Sequence, residues 1–142
     1  MKNIVITGAN RGIGLELATQ LSLNYSVFAL CRKSSSNLSN LSNVTVIEDV
    51  DLLSTSSIRN AISQLPDHID VLINNAGILN RVVLDLMTDD DLQRIRDQFE
   101  VNALAPLFLV NQCLSRFKSG SKVALITSRM GSIDDNDSGS HY

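Results

Sequence analysis

An α/β doubly wound parallel sheet is the fold predicted for this 142-residue chain, and three observations predict it. Five short apolar runs are continuous rather than alternating, the mark of strands buried on both faces. Apolar residues recur at helical spacing between the runs. A glycine-rich turn follows the first run directly, where an open parallel sheet places its ligand contacts.

The length suits a single domain over 1–142, since a chain of about 150 residues removes about 70% of its unfolded surface from water. Apolar residues make up 44% and charged residues 19%, which excludes wholesale disorder. A net charge of −3 offers no basic face to displace counterions, so nucleic acid and anionic membranes are not expected as partners. Cys31 and Cys113 lie in apolar stretches without a CxxC pair. A disulfide framework and a metal site are therefore disfavoured, and a reducing cytoplasm is the expected location. Ile4-Val5-Ile6 meets Gly8 too soon for the apolar region of a signal peptide. The longest apolar stretch, Ala103 to Val110, is eight residues interrupted by Pro106, whereas a membrane span needs roughly 20.

The first run, Ile4-Val5-Ile6, leads into Thr7-Gly8-Ala9-Asn10-Arg11-Gly12-Ile13-Gly14. Glycines here permit a tight turn, close approach of main-chain amides to a pyrophosphate, and tight packing of the next helix on the sheet. Gly8, Asn10, Arg11, Gly12, Ile13 and Gly14 are the candidate contacts. No Gly-Lys-Ser/Thr ending follows, which disfavours a phosphate-hydrolysing loop. Ile13, Leu17, Ala18 and Leu21 then share one helical face.

The second run, Val27 to Leu30, ends in Cys31-Arg32-Lys33, and no acidic residue occurs between Glu16 and Glu48. An NAD site usually places a carboxylate here for the ribose 2′-hydroxyl. Arg32, with Arg11 as a second cation, instead suits a 2′-phosphate, which points to NADP over NAD. The bland alternative is a pair of solvated charges at a strand end. Lys33 to Asn43 is rich in Ser and Asn and is predicted as a surface loop or a short, loose helix.

The third run, Val44 to Ile47, ends in Glu48-Asp49-Val50-Asp51. Asp49 and Val50 are candidates there, a carboxylate being able to accept from an adenine amine. The fourth, Val71 to Ile73, ends in Asn74-Asn75-Ala76-Gly77, and Asn75, Ala76 and Gly77 are small enough for close approach to a ribose. A helix follows, with Thr88 as its cap, Asp89 to Asp91 in its first turn, and Leu92, Ile95 and Phe99 on one face. Asn102 continues that face and is expected to be buried with partners. Pro106, four residues on, cannot donate to its carbonyl. A kink that frees this carbonyl for a water molecule is predicted, a proline-terminated helix being the alternative. The fifth run, Val123 to Ile126, ends in Thr127-Ser128 and brings a hydroxyl to the same crevice. Asp134, Asp135 and Asp137 read as a solvated loop, His141 as exposed, and Met130 as pocket wall or packing.

These residues resemble the short-chain dehydrogenase/reductase family over nearly the whole chain. The resemblance rests on TGxxxGxG at Thr7 to Gly14, Asp49, NNAG at Asn74 to Gly77, the helix Asn102 and the strand-end Ser128. Thr127 to Ile133, with the loop to Tyr142, is similar to carbonyl reductases of the C-factor and sniffer type. The resemblance implies a Rossmann-like fold and hydride transfer between nicotinamide and a small carbonyl or alcohol substrate. It implies that Ser128 orients and polarises the carbonyl and that Asn102 holds the water of a proton relay. It also implies a Tyr-x-x-x-Lys pair, and the chain stops at Tyr142. Tyr142 follows Ser128 at close to the Ser-to-Tyr spacing the resemblance implies, whereas in the carbonyl-reductase alignment it is the first of two tyrosines and the catalytic one follows it. The expectation is thus an incomplete copy with part of the sheet face bare, a surface that leaves self-association into a homo-oligomer open. A non-enzymatic NADP-binding module is the alternative function.

Overall fold

The structure, a computed structural model, describes residues 1–128, 131, 132 and 134. Its strands are β1 (Asn3–Thr7), β2 (Ser26–Leu30), β3 (Val44–Ile47), β4 (Val71–Asn74) and β5 (Lys122–Leu125). They pair in parallel in the order β3-β2-β1-β4-β5. Helices α1 (Gly12–Leu21), α2 (Ser36–Ser39), α3 (Thr55–Ser63), α4 (Asp89–Phe99) and α5 (Ala105–Cys113) alternate with them. β2 and β3 extend to one side of β1, β4 and β5 to the other. The strand order therefore reverses between β1 and β4, where the carboxyl ends open a crevice.

Alternation within each strand explains why its run is apolar throughout. Val5, Leu30 and Leu72 join one core cluster with Ile58, Ile62 and Leu109 of α3 and α5. Ile4, Ile6, Ala29 and Ile73 join the other with Ala18 of α1. Each fully buried aliphatic side chain contributes about 1.5–3 kcal/mol, and both faces must be covered to collect it. The reading fails at β5, where Val123 is 44% and Leu125 63% exposed. Register places Val123 beside Leu72, but β5 is the edge strand, and the layer that buries Leu72 stops short of it.

Two helices, α1 and α4, depart from expectation, and the serine-rich segment takes the short-helix alternative. Ile13, in the first turn of α1, is 64% exposed, because it stands at the crevice rather than over the core. The serine-rich segment does form a helix, α2, capped by the Ser35 side chain and anchored by fully buried Leu38. Thr88 and Asp91 form a reciprocal capping box at the start of α4. No residue of α4 is buried, and Phe99 is 61% exposed, so its apolar face meets no core among the described residues.

The expected kink takes another form. Glu100–Leu104 is a π-helical turn joining α4 to α5, with the Ala105 N–H bonded to the Glu100 carbonyl. Pro106 has no N–H to offer Asn102, and a widened turn shifts the bonding register past the gap. Asn102 is exposed rather than buried, as is the α4 face it continues. No helix among the described residues is long and apolar enough to cross a membrane.

Candidate functional site

The crevice at the strand-order reversal has a volume of about 330 Å³. Its floor forms where β1 ends and the chain turns sharply. The Gly8 N–H donates to the Leu30 carbonyl (2.8 Å), carrying the turn across the end of β2. Gly8 has φ +67°, and a Cβ there would lie 3.0 Å from the Ala76 Cα. Both conformation and space therefore require glycine. The N-terminus of α1 is left open. Arg11 supplies no side-chain cap, and Leu15 is the first helix residue to donate, to the Arg11 carbonyl (3.2 Å). Among the described residues, nothing accepts from the N–H groups of Gly12, Ile13 and Gly14. Open donors at the positive end of a ten-residue helix form an anion-binding arrangement.

Opposite the turn, Thr7 clips β1 to β4. Its buried Oγ1 accepts from the N–H groups of Asn75 (3.1 Å) and Ala76 (3.0 Å). The Asn75 Nδ2 returns to the carbonyls of Thr7 (3.0 Å) and Gly8 (3.2 Å). Asn75 thus braces the glycine turn as well as lining the crevice. The Asn102 side chain pairs with both main-chain groups of Ile78. Its Oδ1 accepts from the Ile78 N–H (2.9 Å), and its Nδ2 donates to the Ile78 carbonyl (2.8 Å). A Cβ on Gly77 would lie 3.3 Å from that Oδ1, so the small residue admits the pairing.

Arg11 and Arg32 line the crevice, and among the described residues neither makes an ion pair. Cys31, between β2 and Arg32, has its thiol pushed up by burial and further by the Glu48 charge. It is a packing group rather than a nucleophile.

Of the sequence candidates, Gly8, Asn10, Arg11, Gly12, Ile13, Arg32, Val50, Asn75, Ala76 and Gly77 line one crevice. Gly14 sits behind it against Gly8 and Asn75. Asp49 is exposed with φ +58°, and Asp51 takes the lining position instead. Ser128 follows β5, exposed, its carbonyl accepting from Gly131 (3.0 Å). Met130, Asp135, Asp137, His141 and Tyr142 lie outside the described residues. Sequence reasoning missed Leu52, Leu53, Ile78 and Val101, which line the crevice as well. An apolar pair just before the Ser54 cap was the available signal for Leu52 and Leu53.

The order of the parallel strands and the site at their reversal define a Rossmann-like α/β domain. The short chain dehydrogenase family model matches residues 2–142, and the chain belongs to that family. It is 31% identical, over all of its length, to 1-hydroxy-2-glutathionyl-2-methyl-3-butene dehydrogenase of Rhodococcus sp. (strain AD45), covering 63% of that protein. Among solved structures it is similar to an NADPH-bound carbonyl reductase from chicken fatty liver (TM-score 0.78, 26% identity), which it matches over 95% of this chain and 62% of that one. A short chain dehydrogenase from Burkholderia cenocepacia J2315 in complex with NADP gives a TM-score of 0.79 at 25% identity, over 91% of this chain and 56% of that one. The chain spans about half to 63% of the length of the curated relatives it matches.

Proposed function

We propose that this chain carries the cofactor site of an NADP-dependent oxidoreductase acting between a carbonyl and its alcohol. The observation that carries the reading is the open N-terminus of α1 at the crevice, with Gly12 and Ile13 offering main-chain N–H groups that nothing among the described residues accepts from. These are the donors a dinucleotide diphosphate needs, and the open space around Gly12 fits such a group. Arg32 and Arg11 would hold the 2′-phosphate, Val50 and Leu52 would flank the adenosine end, and Asn75 to Gly77 the ribose beyond. When bound, the cofactor supplies or accepts the hydride. Ser128 would donate a hydrogen bond to the substrate oxygen. The Asn102 side chain is committed to Ile78, so its part in a proton relay would fall to its main-chain carbonyl, to which Pro106 has no N–H to donate. Similarity to an NADPH-bound carbonyl reductase supports both the cofactor and the substrate class.

Calorimetric titration of the folded chain with NADPH and NADH tests this reading. Tighter binding of NADPH is expected, with the preference moving toward NADH in Arg32→Asp. No heat with either cofactor refutes the site, and an unchanged preference in Arg32→Asp refutes the role of Arg32. Binding without carbonyl-dependent NADPH oxidation assigns the chain to the binding-only alternative.

A further inference from the structure

The serine-rich segment after β2, which the sequence left without a role, is held at three successive residues by three separate anchors. The Asp49 N–H donates to the Arg32 carbonyl (3.2 Å). The Asn10 Nδ2 donates to the Lys33 carbonyl (3.0 Å). The Ser34 N–H donates to the Glu48 carboxylate. Beyond them, the Ser34 and Ser39 hydroxyls share a hydrogen bond (2.7 Å), and Leu38 is buried completely. The segment is therefore a braced shelf from which Arg32 lines the crevice.

Glu48 is the odd member, because a negative charge near a phosphate site opposes the ligand by Coulomb's law. Its geometry answers the objection, since the carboxylate is spent on the shelf's main chain. We infer that Glu48 is a positioning residue for 2′-phosphate recognition: by accepting from the Ser34 N–H it holds the backbone that presents Arg32, raising the preference for NADP despite its own charge. The inference rests on the proposed NADP reading and goes beyond it.

The test measures NADPH and NADH dissociation constants for wild type, Glu48→Ala, Glu48→Gln, Arg32→Ala and the Glu48→Ala/Arg32→Ala pair. Glu48→Ala is expected to weaken NADPH roughly tenfold, because a released shelf presents Arg32 correctly only part of the time. NADH binding is expected to hold within about twofold, which also reports that the variant has folded. Glu48→Gln keeps an acceptor without the charge and should retain NADPH binding. In the Arg32→Ala background, removing Glu48 should add nothing, because it acts through Arg32. Tighter NADPH binding by Glu48→Ala, equal losses for both cofactors, or a Gln variant as weak as the Ala variant would each overturn the inference. A wild type indifferent to the 2′-phosphate, or an Arg32→Ala without effect, removes the NADP reading itself, and the proposal with it.

Discussion

Replacing Gly14 with alanine sets a local preference against a tertiary contact. Gly14 is the third residue of α1, where alanine would ordinarily stabilise the helix by about 1 kcal/mol. The added Cβ, however, would lie well inside contact distance of the Gly8 carbonyl oxygen, 2.5 Å from the Asn75 Nδ2 and 3.0 Å from the Gly8 carbonyl carbon. The Gly8 peptide would have to retreat by roughly 1 Å to restore ordinary contact. It is not free to do so, because its N–H is bonded to Leu30 (2.8 Å) and its carbonyl to Asn75 (3.2 Å). Overpacking strain of about 2 kcal/mol and two weakened hydrogen bonds of about 1 kcal/mol each, less the helical gain, leave a net loss of about 3 kcal/mol. For a chain of this length that lowers Tm by about 10 °C. Thermal unfolding followed by circular dichroism measures it. Gly12→Ala is the control: nothing lies within 4 Å and only φ +54° opposes it, so a loss of about 1 kcal/mol is expected. A Gly14→Ala protein melting at or above wild type, or above the Gly12→Ala protein, would refute the packing argument.

Two further perturbations probe the two ends of the sheet. Thr7→Val keeps the side chain's shape but strands the Asn75 and Ala76 N–H groups. It should cost about 2–4 kcal/mol in urea unfolding, with Thr7→Ser recovering most of the loss; a Val variant as stable as wild type would show that the clip contributes nothing. At the opposite end, the Asn3 N–H, and after it His68, holds the Asp70 carboxyl below the usual carboxylate range. A lowered folded pKa contributes stability that is complete above about pH 4 and lost as pH falls through the folded value. Asp70→Asn should therefore unfold more readily than wild type at neutral pH, with the gap closing as pH falls through the lowered folded value. A gap that is constant with pH would contradict the assignment.

What the sequence made legible was local. A strand buried on both faces must be apolar throughout, so β1, β2 and β4 announce themselves, and a turn that exposes main-chain N–H groups needs glycine where φ is positive. Ten candidate residues accordingly meet around one crevice. The same logic misjudged β5 and the Leu92–Phe99 face, because an apolar run records what a residue prefers and not whether another element arrives to cover it. Ile13 shows this in miniature: it has helical spacing, yet it faces the crevice.

By itself, then, the chain determined its strands, its glycine turn and the absence of an acid after β2, because each depends on neighbours a few residues away. Only the tertiary structure decided that Thr7 serves Asn75 and Ala76, that Asn102 is spent on Ile78, and that Glu48 braces Ser34. Those partners lie 14 to 69 residues apart in the chain. A hydrogen-bonding side chain carries no mark of its partner until folding brings the two within about 3 Å.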